Sequence, residues 1–129
     1  MPEITVLYAG MLGILSMVLS VLCGAQRGKT GVSIGDGGDE QMVVAMRRHG
    51  NFVEHAPIAL LIIALLEMNG VAATVIHSLG GGLVFCRVAH AVGLQAGKGA
   101  NPGRFIGALG TLLITGVASG WAIYAFFQA

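Results

Sequence analysis

The chain has 129 residues, of which 55% are hydrophobic, 10% are charged and 21 are glycines, and its formal net charge is +1. The apolar content excludes a disordered or collagen-like chain, and the charged fraction is far below the roughly 25% of ordinary soluble domains. A net charge so close to zero gives no electrostatic basis for nucleic-acid binding, so the composition predicts one small membrane domain, residues 1–129.

The first predicted helix spans residues 4–26. Residues 4–23 contain no charge, and about 20 apolar residues are needed to cross the hydrocarbon core of a bilayer. A signal peptide is the alternative, but Met1-Pro2-Glu3 provides no basic segment, and the apolar run is longer than is typical of signal peptides. The segment is therefore predicted to be a retained membrane span.

A connection rich in glycine and polar residues leads to the second helix. Its glycine pair, Gly37-Gly38, permits positive φ, and Asp39 is expected to cap the helix with Glu40 in the first turn. A phosphate cradle is the alternative interpretation of this segment. It lacks the Lys-Ser/Thr ending of a P-loop, and its two aspartates would repel an anion, so we predict a turn.

The second predicted helix, residues 39–68, carries a polar face. Arg47, Asn51 and Glu54 occur at i, i+4 and i+7 and therefore lie on one side of the helix. Pro57 follows three residues later, and its missing backbone donor is expected to bend the helix. This combination of polar groups and a proline indicates a site, although an ion-paired helix that locks the bundle is the plainer interpretation.

Glu54 lies within an apolar stretch, where it needs a partner. A charge inside a membrane span costs at least ~2.5–3.5 kcal/mol on insertion scales and usually faces the interior of a bundle. Arg47 is two helical turns away, a long reach for a direct ion pair. Arg87 of the next helix is therefore an alternative partner.

The third predicted helix spans residues 71–96, after a turn at residues 69–70 and before a stop at residues 97–99. Arg87 and His90 are three residues apart, so their side chains face the same way. Their expected depth in the membrane matches that of the polar face of the second helix. The two polar faces are therefore expected to meet.

Four possible metal ligands belong to these two helices: His49, Glu54, His55 and His90. Their spacings do not place them on one helical face, and the sequence contains no His-x-x-x-His or Cys-x-x-Cys pair. We therefore predict that the protein binds no metal.

The fourth predicted helix spans residues 102–127. Asn101 is a favoured N-cap residue, and proline is favoured at the first helical position, where Pro102 stands. Arg104 then adds its charge to the positive end of the helix dipole, which favours an anion such as a thiolate. The alternative is that Arg104 only anchors the helix at the membrane interface.

Glycines repeat at four-residue spacing along the fourth helix. The two pairs are Gly103/Gly107 and Gly116/Gly120. Such small-residue faces permit close helix approach, either inside one protomer or between protomers.

All the lysines and arginines are on the side of the first and third connections, whereas the two ends of the chain carry none. The positive-inside rule therefore places those connections in the cytoplasm and both termini outside. The sequence predicts an all-α, up-down bundle of four transmembrane helices.

Taken together, these residues resemble the MAPEG family, the membrane-associated proteins of eicosanoid and glutathione metabolism, and in particular its small bacterial branch of microsomal glutathione transferase type. The most specific element is the helix-two signature Arg47-x-x-x-Asn51-x-x-Glu54-x-x-Pro57. It is supported by four spans, by Arg87-x-x-His90 and by an arginine at the start of the fourth helix. The resemblance covers essentially the whole chain.

The resemblance implies a homotrimer in the bacterial cytoplasmic membrane, with glutathione bound between protomers on the cytoplasmic side. It implies Arg104 as the catalytic residue that stabilises the thiolate. The residues it implies for holding glutathione are Arg27, Arg47, Asn51, Glu54, Arg87 and His90. Arginine forks suit the two carboxylates of glutathione, and a glutamate suits its ammonium group. This chain departs from the eukaryotic members in having His90 and Leu94 where those have tyrosines, and its third connection is longer.

The leading functional prediction is a glutathione transferase or peroxidase that acts on hydrophobic electrophiles or lipid hydroperoxides. A second hypothesis is a non-catalytic scaffold that binds lipid or glutathione. A third is a small multidrug transporter, but that class has an essential acidic residue in its first span, and residues 4–23 contain none.

Overall fold

A computed structural model describes residues 1–99 and 101–128; residues 100 and 129 of the predicted domain lie outside the described residues. It contains four helices: α1 (Glu3–Thr30), α2 (Glu40–Met68), α3 (Ala73–Gly93) and α4 (Pro102–Gln128). Each helix is long and apolar enough to cross a membrane. No strand occurs among the described residues, so the predicted all-α architecture is confirmed.

The helices are arranged in the order α1, α2, α4, α3 around the bundle, and α2 and α3 also touch across its centre. Within the described residues α1 and α4 make no contact and occupy opposite corners. The buried apolar core lies mainly on the two central helices, with Ala59, Ile63, Ile76 and Leu83 fully enclosed. Large apolar side chains cover the outside, as expected of a surface that faces lipid.

The connection between α1 and α2 follows the predicted turn chemistry. Gly37 and Gly38 have φ of 61° and 78°, and the Asp39 carboxylate accepts a hydrogen bond from the Met42 amide at 2.6 Å. The Glu40 carboxylate reaches the third connection, where it accepts from the Gly97 amide at 2.8 Å. The bond from Glu40 ties the start of α2 to the third connection.

Two helix ends differ from the sequence-based prediction by three residues or more, and α3 also begins at Ala73, two residues later than predicted. α1 continues past residue 26 to Thr30, where Gly31 adopts a left-handed conformation (φ 69°) and closes the helix onto the Arg27 carbonyl. α3 ends at Gly93, before residue 96, and the segment at residues 97–99 therefore belongs to the connection. At this end the carbonyls of Gly93 and Leu94 accept hydrogen bonds from the side chains of Asn101 and Arg48, so they are satisfied without a further helical turn.

The opposite end of the bundle is held by a carboxylate that the sequence analysis did not single out. Glu67, at the end of α2, accepts hydrogen bonds from the amides of Ile4 and Thr5 at 2.7 and 2.8 Å and from the Thr5 hydroxyl at 2.5 Å. These are orphan donors in the first turn of α1, so Glu67 caps that helix from another helix. Nearby, the Tyr8 hydroxyl contacts His77 Nδ1 at 2.7 Å.

The closest helix pair is α3 with α4, and glycines make the approach possible. A Cβ built at Gly107 would lie 2.5 Å from the Cys86 carbonyl oxygen and would also collide with the His90 amide nitrogen. A Cβ at Gly93 would collide with the Arg104 amide nitrogen. The predicted small-residue face at residues 103 and 107 is thus used inside the chain. At Gly116 and Gly120, by contrast, no atom of the residues that the structure describes lies within 4 Å of an added Cβ.

Candidate functional site

A buried arginine organises the centre of the bundle near its cationic end. Arg87 of α3 is only 2% exposed. Its Nη1 donates to the Asn51 Oδ1 at 2.9 Å and to the Asn51 backbone carbonyl at 3.4 Å, while Nη2 donates to the Gly107 carbonyl at 3.1 Å. Arg87 therefore links α3 to both α2 and α4. Because its bond fixes the side-chain oxygen of Asn51, the amino group of Asn51 remains available to donate elsewhere.

A small polar cavity lies beside this arginine, and its volume is about 80 Å³. Its lining comes from α2, from the end of α3 and from the first turn of α4: Arg47, Asn51, His90, Leu94 and Arg104. Side chains from three helices and from the C-cap of α3 thus meet at one cavity, and all of them except Leu94 are polar. The predicted meeting of the polar faces of the second and third helices is confirmed.

Glu54 pairs with Arg47, and the alternative pairing with Arg87 is wrong. Arg47 Nη1 and Glu54 Oε1 are 3.6 Å apart, and the two side chains are 58% and 51% exposed. Two helical turns are a rise of only about 10 Å, which two long side chains can bridge from both ends. Arg87 is instead occupied by Asn51 and Gly107. The Arg47–Glu54 pair lies on the outside of the bundle, next to the cavity.

Arg27 is separate from this cluster in the single chain. It stands near the end of α1, and its Nη1 donates to the carbonyls of Val32, Ser33 and Gly35 at 3.4, 3.2 and 3.0 Å. It therefore holds the connection after α1 in place. Arg27 does not line the cavity described above.

Pro57 lies inside α2, which the structure assigns as one helix from Glu40 to Met68. Its ring is exposed and borders an apolar groove of about 200 Å³ between α1 and α2. The neighbouring residues Phe52 and Ala56 are buried. Pro57 therefore lies on an exposed, mainly apolar side of α2, outside the polar cavity.

The start of α4 is built as the sequence predicts. The Asn101 side-chain oxygen accepts from the Arg104 amide at 3.0 Å, and its amino group donates to the Gly93 carbonyl at 2.7 Å. Arg48 caps the same end of α3 from α2, with Nε and Nη2 donating to the Leu94 carbonyl at 2.9 and 2.5 Å. Sequence analysis missed this role of Arg48, since helical spacing alone does not tell which carbonyl a surface arginine reaches.

Asn101→Ala is expected to destabilise the junction of α3 and α4 by about 1–2 kcal/mol, because it removes both an N-cap and a bond to a helix C-terminus. The measurement is the free energy of unfolding in mixed micelles, together with hydrogen exchange of the Arg104 amide. Asn101→Asp keeps the acceptor but loses the donor to Gly93, so it should retain part of the stability. Equal stability of the alanine variant and the parent would contradict the capping role.

The charge balance of the site is positive. The guanidinium groups of Arg47, Arg87 and Arg104 lie in or beside the cavity, and Glu54 supplies one carboxylate. The amides of the first turn of α4 and the helix dipole add to this positive field. The cluster therefore favours a ligand with more negative than positive groups. Among residues 1–99 and 101–128, no three side chains of His, Cys, Asp or Glu are grouped as metal ligands.

Comparison with known proteins gives a consistent result. The model of the MAPEG family matches residues 5–124. The inner membrane protein YecN of Escherichia coli strain K12 is 36% identical over 92 residues, which cover 71% of this chain and 70% of that protein. The inner membrane protein YecN of Escherichia coli O6:H1 strain CFT073 matches with the same identity and coverage. No solved structure matches the chain.

Proposed function

The chain belongs to the MAPEG family, and from this premise we propose that it is a membrane glutathione-binding protein that acts as a glutathione transferase or peroxidase. The observation that carries the proposal is the cavity at which Arg47, Asn51, His90 and Arg104 meet beside the buried Arg87. The inner membrane relatives and the four apolar helices support a multi-pass protein of the bacterial cytoplasmic membrane. Our proposal that both termini lie on the non-cytoplasmic side rests on the positive-inside rule.

Each part of glutathione finds a chemically matched group in this arrangement. Its two carboxylates suit the guanidinium of Arg47 and the amino group of Asn51, and its ammonium suits Glu54. Arg87 acts as a positioning residue, because both of its terminal nitrogens are already engaged by protein oxygens. Arg104 and the amides of the first turn of α4 would then hold the sulfur as a thiolate.

The chemistry follows from an activated thiol. The bound S–H group releases its proton to water, and the thiolate attacks the electrophilic carbon; a C–S bond forms while the bond to the leaving group breaks. With a lipid hydroperoxide, the thiolate attacks the terminal oxygen, so an S–O bond forms while the O–O bond breaks, and the departing alkoxide takes a proton from water to leave as the alcohol. A second glutathione then reduces the resulting sulfenic acid, which gives glutathione disulfide and releases water. The protein contributes thiol activation and the positioning of a polar and an apolar substrate.

A homotrimer is part of the proposal. A cavity of about 80 Å³ is well below the roughly 300–1,000 Å³ of typical small-molecule sites, so a tripeptide requires further walls. The exposed Arg47–Glu54 pair faces outward, where a neighbouring copy would supply those walls, and Arg27 of that copy is our candidate for the missing contact. The supporting measurement is native mass spectrometry, with an expected mass of three times the 13.2 kDa chain.

Thiolate absorbance provides the direct test of thiol activation. Free thiols have a pKa of about 8.5 and are mostly protonated at neutral pH, so stopped-flow mixing of purified protein with glutathione at pH 7 should give an ultraviolet thiolate signal. Arg104→Ala should lower this signal about tenfold or more, because a charge-assisted contact is lost. Lys98→Ala, a matched loss of charge in the exposed third connection, should leave it unchanged.

Absence of the thiolate in the parent protein would contradict the enzymatic proposal. Saturable glutathione binding without conjugation of a standard electrophile would instead support the non-catalytic scaffold. One observation favours this second candidate. His90 and Leu94 form the wall of the cavity at the end of α3, so this wall has no tyrosine hydroxyl that could donate a hydrogen bond to the sulfur.

A further inference from the structure

The side of the bundle formed by α1 has two adjoining cavities that the proposed reaction does not use. The larger, about 410 Å³, lies between α1 and α3, and its walls are mostly aliphatic. The smaller, about 140 Å³, lies between α1 and α2 and is more polar. Leu19, Leu22 and Arg48 line both, so the two cavities share a wall and follow one another along the same face of α1.

The two cavities together form one track along α1, and the lining of this track becomes more polar toward one end. Leu15 and Leu22 line the apolar part, whereas Gln26 and Lys29 line the end nearest the cationic connections. From Leu15 to Lys29 the helix rises by about 21 Å. This length and this gradient match an amphiphile whose charged end lies at the membrane surface and whose chain runs into the bilayer.

Among the described residues, no acidic side chain neutralises the charge of Arg48. Its Nε and Nη2 donate to the Leu94 carbonyl, and Nη1 forms no hydrogen bond within the part of the chain that the structure describes. The Arg48 side chain is half-buried, and no carboxylate among the described residues is within 4.0 Å of it. The nearest contact between the track and a carboxylate is made by Gln26, whose Nε2 donates to Asp39 Oδ1 at 3.4 Å. This carboxylate already caps α2 by accepting from the Met42 amide.

We propose that this track binds an anionic phospholipid. The phosphate lies between Arg48 Nη1 and the Lys29 ammonium, and one acyl chain occupies the aliphatic cavity between α1 and α3. Basic pockets between helices at the cytoplasmic surface are suited to anionic headgroups. A free phosphate would leave the larger, aliphatic cavity unfilled, and a zwitterionic lipid would bring a second cation beside Lys29 and Arg48.

The proposed lipid site is distinct from the candidate glutathione site. Arg48 directly follows Arg47 in the sequence, but successive helical residues point about 100° apart, and only Arg47 lines the cavity near α4. α1 lines both lipid cavities and makes no contact with α4 within the described residues. The proposal therefore does not depend on glutathione chemistry.

The test is lipid retention by native mass spectrometry after reconstitution in mixed phosphatidylglycerol and phosphatidylethanolamine. Tightly retained lipid should be enriched in phosphatidylglycerol. Each cation that contacts the anionic headgroup contributes about fivefold to its binding, so Lys29→Gln should reduce retention by about that factor and Lys29→Gln with Arg48→Gln by about 25-fold. Lys98→Gln, which removes an exposed cation outside the track, should retain lipid like the parent.

Two further variants separate lipid binding from folding. Val92→Trp fills the aliphatic cavity from an exposed position, so it should lower retention while the melting temperature stays unchanged. Arg48→Lys keeps the charge but loses the paired bonds to Leu94, so it should retain more lipid than Arg48→Gln at similar stability. Equal retention of both lipids, or retention unchanged in Lys29→Gln and Val92→Trp, would overturn the proposal, as would full displacement of the lipid by inorganic phosphate.

Discussion

Gly107→Val is expected to separate α3 from α4 and to destabilise the protein by about 3 kcal/mol or more, at the upper end of the cost of overpacking a core. The new Cβ would lie 2.5 Å from the Cys86 carbonyl oxygen and 2.6 Å from the His90 Cβ. Backbone atoms of α3 cannot rotate away as a flexible side chain can, so the helices must move apart. That movement also breaks the hydrogen bond from Arg87 to the Gly107 carbonyl.

The melting temperature in detergent and the thiolate signal should both fall in Gly107→Val. Gly116→Ala is the matched control on the same helix, because nothing lies within 4 Å of a Cβ at that position. Its greater helix propensity should leave stability unchanged or raise it by up to about 1 kcal/mol. A Gly107→Val protein as stable as the parent would show that α3 and α4 do not pack through this glycine.

Arg87→Met is the second change with a large expected effect, a loss of at least about 1.5–3 kcal/mol in stability together with weaker glutathione binding. The substitution removes the charged donor of three hydrogen bonds, and the Asn51 side-chain oxygen loses its partner in a half-buried place. Arg87→Lys keeps the charge, but a single ammonium cannot reproduce the planar fork that joins α2 to α4. It should recover only part of the lost stability.

A double-mutant cycle with Asn51→Ala checks how Arg87 influences binding. If Arg87 acts only by orienting Asn51, the double variant should bind glutathione no more weakly than Asn51→Ala alone. Arg47→Met provides the comparison for stability, since the Arg47 side chain is 58% exposed and its ion pair with Glu54 contributes little. Additive losses of affinity would instead indicate that Arg87 and Asn51 contact the ligand independently.

Much of the fold was accessible from the sequence because the relevant signals are local. Uncharged stretches of sufficient length identify membrane helices, and Asp39 and Asn101 are cap residues whose hydrogen bonds form within their own turn. The end of α3 was not accessible in this way. It is set by side chains from α2 and α4, and the glycines at residues 97 and 99, which are typical of a helix stop, lie in the connection beyond it.

In the candidate site, too, the arrangement of residues within one helix could be predicted from the sequence, whereas contacts between helices could not. Helical spacing placed Arg47 with Asn51, and Arg87 with His90, because positions on one helix follow from its period alone. The partner of Arg87 depends on how far α2, α3 and α4 slide past one another, which one helix cannot reveal. Hence the pairing of Arg87 with Glu54 was wrong, and the bridge from Arg87 to Asn51 and Gly107 emerged only from the packing.

The two side-chain caps on the last turn of α3 also imply an order of assembly during synthesis. Arg48 precedes α3 in the chain and is available as soon as that helix enters the membrane, whereas Asn101 follows it and emerges from the ribosome later. Before Asn101 is in place, only the cap from Arg48 can form on this end of α3. Docking of α4 adds the second cap and supplies the Gly107 carbonyl to Arg87 in the same event, so the polar centre matures only when the last helix inserts.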